Sequence, residues 1–106
     1  MKAKVNAKEE LLKVAKFKRI ECANLVIDAG RKNERRLYLA KNYSEEEFDA
    51  FLKALDFTHN DIYDSDIIIG TIWFTDGSWA DREPDENWMF YWHVKKRPQV
   101  PDYLLG

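Results

Sequence analysis

One cysteine, Cys22, stands in the whole chain, so no internal disulfide can form, and no Cys pair or Cys/His spacing supplies a structural zinc site. Such cysteine usage suits a reducing cytoplasm. Apolar runs are short everywhere: nothing approaches the roughly 18 residues needed to cross a bilayer, and the lysine-dotted stretch from Met1 to Lys18 holds no apolar core of an export signal. We therefore expect a cytoplasmic protein without membrane partners. Glycine is scarce, four in 106 residues, and none falls in a phosphate-cradling loop or a dinucleotide fingerprint. Only three prolines occur, and two of them, Pro98 and Pro101, lie near the C-terminus.

Bulky side chains are plentiful. Apolar residues make up 45% of the chain and aromatics 14%, which is enough to offset the entropy of ordering and separates this sequence from disordered ones. A chain of this length forms one domain, residues 1–106, with one core.

The net charge of −2 hides a division. Residues 1–41 hold 12 Lys/Arg against 5 Asp/Glu, or +7; residues 42–106 hold 5 against 14, or −9. Two outcomes are open: separate basic and acidic faces able to steer partners, or opposite charges interleaved when the halves pack.

Along the chain, Asn6 followed by Glu9 reads as an N-cap with a capping-box partner, and Leu11, Leu12, Val14 and Ala15 supply an apolar stripe for a helix over 7–16. Residues 17–28 alternate as a partly buried strand, the polar Gly/Asn-containing segment 29–34 turns, and 36–41 resumes alternation through Leu37 and Leu39. Ser44 and Glu47 form a second capping box, with Phe48, Phe51, Leu52 and Leu55 at helical spacing behind it. An acidic loop spans 56–66. Residues 67–74, apolar on both faces, read as a central strand; Asp76-Gly77 turns the chain into a strand over 78–82; and 88–94 forms a last strand with Trp88, Phe90, Trp92 and Val94 on one face. Pro98 and Pro101 make 97–106 an extended tail packed on the domain. The order α-β-β-α-β-β-β predicts an α+β fold, a curved antiparallel sheet with two helices on one side.

Chemistry is thinly represented. Asp56, His59, Asp61, Asp64 and Asp66 have the donors that metals use, but the calcium-loop glycine and closing Glu are missing, so we read a solvated connection, with no metal and no cofactor. Cys22 reads as a core residue with no spacing to either histidine, and His93 as a half-exposed sheet residue on the face opposite Trp92 and Val94. No catalytic residue is assigned, and the chain is read as not an enzyme.

Binding is better represented. Trp73, Trp79, Trp88 and Trp92 all fall on one meander and, with Phe90 and Tyr91, overflow so small a core, leaving an exposed aromatic patch. Asp76, Asp81, Glu83, Asp85 and Glu86 surround it and repel phosphates, with Arg82, Lys95, Lys96 and Arg97 as partial compensation. The candidate protein-binding set is Trp79, Trp88, Arg82, Asp76 and Tyr91. The alternative is a nucleic-acid site on the first hairpin: Arg31, Lys32, Arg35 and Arg36. An exposed edge strand beside the aromatics also suits a homodimer.

Leu55-Asp56-Phe57 before a Tyr/Asp-rich loop, then Gly70-Thr71-Ile72-Trp73-Phe74-Thr75-Asp76-Gly77-Ser78-Trp79, Arg82, aromatics near 88–92 and Pro98-x-x-Pro101 resemble a family of small uncharacterised bacteriophage and prophage proteins. The likeness covers about residues 48–105 and implies a bacterial-host context with a host-protein target; it brings no functional residues. The family's Tyr-Asp-Gly-Ser-Glu-Trp-Trp segment is replaced here by Pro84-Asp85-Glu86-Asn87-Trp88-Met89, and its Gly-Tyr-Gly loop by residues 58–64. These departures point to a different partner for this member.

Overall fold

The computed structural model describes residues 4–28, 30, 32–60, 68–84 and 90–96. Two helices and a five-stranded antiparallel sheet appear in the expected order, together with a two-stranded ladder that sequence reading missed. The elements are β1 Lys4–Asn6, α1 Ala7–Val14, β2 Ile20–Ile27, β3 Arg35–Leu39, α2 Glu45–Ala54, β4 Thr58–Asn60, β5 Ile68–Phe74, β6 Trp79–Pro84 and β7 Phe90–Lys95. The main sheet runs β3-β2-β5-β6-β7 with every neighbour antiparallel, so β5 is the central strand.

Caps start both helices where expected. The Asn6 side chain accepts from the Glu9 amide, 3.0 Å, and Ser44 and Glu47 complete a reciprocal capping box. Each satisfies amides that the first helical turn leaves without partners. Helix α1 stops at Val14, two residues before the expected end, and the chain turns through Phe17, whose φ of +68° lies in the left-handed region.

The strands alternate sides along their length, and cross-strand register places like with like. Ala23, Leu25 and Ile27 on β2, Ile68, Ile72 and Phe74 on β5, Ala80 on β6 and Leu39 on β3 point to one side, where Leu11 of α1 and Phe51 and Leu55 beyond them complete a single buried cluster. Both helices thus lie on this face. Gly70 has a structural reason: at φ +145° an added Cβ would sit 2.2 Å from the Asn24 carbonyl oxygen, so only glycine lets β2 and β5 close here.

Arg82 also points into the covered side and is 4% exposed. Its Nε donates to Glu10 Oε1 at 3.0 Å and its Nη1 to the Ile68 carbonyl at 2.7 Å, which meets the rule that a buried charge be paired and hydrogen-bonded. The pair joins α1 to the sheet across 72 residues of sequence. Together with Lys8–Asp56 at 3.6 Å and Lys18–Asp76 at 3.2 Å, it links the basic N-terminal part to the acidic remainder, so the charge division is in part neutralised by interleaving.

The ladder β1–β4 pairs Lys4 with Asn60 and Asn6 with Thr58. Asn6 Nδ2 donates to Asp56 Oδ1 at 3.0 Å, and the Ala7 amide donates to the Phe57 carbonyl at 2.9 Å. Part of the expected loop 56–66 is therefore strand. Asp61, Asp64, Asp66, the proposed tail 97–106 and the turn through Asp85, Glu86 and Trp88 lie outside the described residues.

Candidate functional site: the open face of the sheet

The alternation that buries one side leaves the other bare, and among the described residues no helix lies on it. Register sets it out in rows. Cys22, Trp73, Trp79 and Lys95 form one, and Tyr38, Asn24, Thr71, Asp81 and His93 the next; beyond them lie Val26 and Ile69, with Glu83 opposite Tyr91. Trp73 is 39% exposed, Tyr91 40% and Tyr38 61%; Trp79 is half-buried. These rings supply apolar contact area on a surface that is otherwise polar.

Electrostatically the face is a closed network. Lys95 Nζ sits 3.0 Å from both Asp81 Oδ2 and Glu83 Oε1. Thr71 Oγ1 donates to Asp81 Oδ1 at 2.5 Å. Burial of Asp81 acts to raise its pKa, but the hydrogen bonds from Thr71, Lys95 and the Trp79 side chain outweigh it and hold the carboxyl below its usual range. Hydrogen bonds to Asp81, then Glu83, raise Lys95 in turn. With one cation between two carboxylates the face is much less acidic than composition suggests. His93 Nε2 is buried here without a hydrogen-bond partner.

The expected binding residues divide. Trp79 and Tyr91 belong to this face. Arg82 does not: it points to the helix side and is committed to Glu10 and Ile68. Asp76 stands at the β5–β6 turn, where Oδ1 accepts from the Ser78 amide at 2.9 Å and from its hydroxyl, while Lys18 Nζ bonds Ser78 Oγ at 2.7 Å and Asp76 Oδ2 at 3.2 Å. Those bonds, from Ser78 first, lower its pKa to about 2 and explain it as a turn residue. Trp88 lies outside the described residues. Trp73, which lies directly across from Trp79, was one of the four tryptophans expected to overflow the core. It is exposed on the open face, whereas Trp92 pairs with Arg82 on the covered side and packs against the core.

Two further expectations need correction. Cys22 is not a core residue; a register shift between Ile20 and Cys22 leaves it half-buried on the open face opposite Trp73. Nor is central strand β5 covered on both sides, since Trp73 is exposed. His93 does lie on the face opposite Trp92 and Val94, half-buried, as alternation required.

The basic hairpin is also divided by the pleat. Arg36 pairs with Val26 on the open face and Arg35 with Ile27 on the other, both exposed, and Arg36 lies 3.9 Å from Glu34. Lys32 is exposed in the turn and Arg31 lies outside the described residues. Among the described residues there is no group of three or more His, Cys, Asp or Glu arranged to hold a metal, and no helix long and apolar enough to cross a membrane.

Comparison with family models, curated proteins and solved structures gives no match to this chain.

Proposed function

We propose that this chain is a non-catalytic accessory protein, of the phage type its sequence resembles, which binds a protein of the bacterial host in the cytoplasm through the open face of its sheet. One observation carries the reading: Tyr38, Trp73 and Tyr91, three of the large side chains the fold leaves exposed, share the sheet face on which no helix lies among the described residues. Aromatic anchors in a polar setting are the residues that dominate protein interfaces. The Lys95 network supports the same reading, because one cation shared by two carboxylates leaves a single negative charge, which disfavours a polyanion more than a protein. The nucleic-acid alternative loses ground on geometry, since Arg35 and Arg36 project to opposite sides of β3.

The test is affinity capture from bacterial lysate with the tagged chain, with and without nuclease and at two salt concentrations. A stoichiometric protein that survives both treatments, and is lost when Trp73 and Tyr91 are replaced by Ala in a still-folded chain, is the expected result. Nuclease-sensitive, salt-labile recovery would overturn it in favour of nucleic acid; a chain that captures only itself would make the face a homodimer contact.

A further inference from the structure

Among the described residues the most exposed large apolar side chain is not on the sheet. Phe17, 95% exposed, stands at the turn after α1 with its backbone in the left-handed region, a conformation that costs a non-glycine residue about 1 kcal/mol or more. Leu12, 41% exposed, lies on the last turns of α1. Beside them two adjoining cavities run between α1, the start of β2 and the entry to α2. One, of about 350 Å³, is lined by Leu12, Ala15, Lys18 and Phe48; the other, of about 250 Å³, by Glu21, Lys41, Asn42 and Thr75; Arg19, Ile20 and Tyr43 line both. The groove is fixed from below: Tyr43 OH donates to the Ile20 carbonyl at 2.6 Å, its ring stacks on Phe48 with centroids 5.4 Å apart, and the Thr75 amide donates to the Arg19 carbonyl at 2.9 Å.

Charge around this groove is one-signed on its α1 side. From Lys13 to Arg19 the chain carries four cations and no carboxylate. Lys18 is held by Asp76 and Ser78, whereas Lys13, Lys16 and Arg19 are exposed or rim the groove with no ion pair among the described residues. The α1 half of the groove is lined largely by Leu12, Ala15, Ile20, Tyr43 and Phe48, with Phe17 projecting from the adjoining turn and Lys13, Lys16 and Arg19 outside any ion pair among the described residues. In the other half Lys41 is held by Glu21 at 3.4 Å. The α1 half is therefore complementary to an acidic polypeptide that carries a bulky apolar side chain. We infer that the groove between α1 and the entry to α2 is a second docking site, distinct from the open sheet face, and that it takes an acidic, apolar-anchored peptide segment of a protein partner.

Other polyanions fit less well. A single strand of nucleic acid needs free ring faces to stack on, and Tyr43 is already stacked on Phe48, leaving Phe17 alone. An anionic membrane presents a plane, and Glu45, Glu46 and Glu47, all exposed in the first turn of α2 next to Tyr43 and Phe48, oppose its approach. A peptide is small enough to seat on the α1 side of the groove, where Lys13, Lys16, Lys18 and Arg19 stand, rather than on the α2 side that carries the three glutamates.

The experiment is a binding screen of the intact chain on an array of random-sequence peptides, with fluorescence titration of the strongest binders. Oligothymidylate and vesicles of mixed neutral and anionic lipid serve as parallel probes. Enriched peptides are expected to share acidic residues around a leucine or aromatic, and to lose about tenfold or more in affinity to Arg19→Glu and to Phe17→Ser, with weakening as salt rises. Phe17 and Arg19 are exposed, so thermal melts of both variants should match the parent. Replacement of Trp73 and Tyr91 by Ala should leave this binding intact, which separates failure here from failure at the sheet face. No enrichment, enrichment of basic peptides, indifference to Arg19→Glu, or tighter Arg19-dependent binding of oligothymidylate or vesicles would each overturn the proposal.

Discussion

The two faces of the main sheet are built by the same five strands from residues that alternate along them, yet they do different work. On the covered face, neighbouring rows are Ala, Leu, Ile and Phe sealed by two helices, and the buried charge of Arg82 is held by Glu10 and a backbone carbonyl. On the open face the rows mix Trp, Tyr, Thr, Asn, His and a Lys95-centred ion network. Core packing is intolerant of change and surface rows are not, so the contrast separates stability from the proposed recognition within single strands.

Gly70 is where the contrast is broken with the largest effect. Gly70→Ala puts a Cβ against the β2 backbone at a φ unsuited to it, and a loss at or beyond about 4 kcal/mol is expected, read as failure to fold or a collapsed denaturation midpoint. Adjacent residues give the cleanest comparison. Ile72→Ala, in the core, should cost about 2–5 kcal/mol; Trp73→Ala, one position on, should cost under about 1 kcal/mol in the same urea titration while abolishing capture of a partner.

Arg82→Ala strands Glu10 on the covered side and should cost about 2–4 kcal/mol. Replacing both by apolar residues, Arg82→Met with Glu10→Leu, should recover much of that loss, and a double-mutant cycle that shows no coupling would mean the pair is incidental. The smallest effect is at the β5–β6 turn. Because folding lowers the Asp76 pKa to about 2, its contribution is fully present above the ordinary carboxylate range near pH 4 and disappears as pH falls from there toward 2. Asp76→Asn should flatten that part of the stability–pH curve.

Most of the fold was legible because local chemistry and tertiary packing agree. Both caps, the helical spacing of Phe51 and Leu55, and the Asp76-Gly77 turn each state their structure within a few residues. What was hidden depends on distant partners. Arg82 looks like a surface residue until Glu10 is beside it; β1 and β4 are three residues each, too short for any period to show. Strand alternation placed His93 correctly, but the shift between Ile20 and Cys22 moved the cysteine off the expected side. Phe17 read as the first residue of a strand, and only its left-handed backbone shows that it projects instead. Trp79 and Tyr91 were found from composition; Trp73 was named with them but not singled out, because a central strand suggested burial on both faces.

The small ladder between Lys4–Asn6 and Thr58–Asn60 bears on how the molecule comes together. It closes a loop holding α1, β2, β3 and α2, and closing a chain of that length costs about 3.5 kcal/mol in entropy before any pair forms. Three residue pairs cannot meet that cost unaided. The ladder is therefore expected to zip only after the main sheet has brought its ends together, and its amides should be among the first to exchange with solvent when the native protein opens.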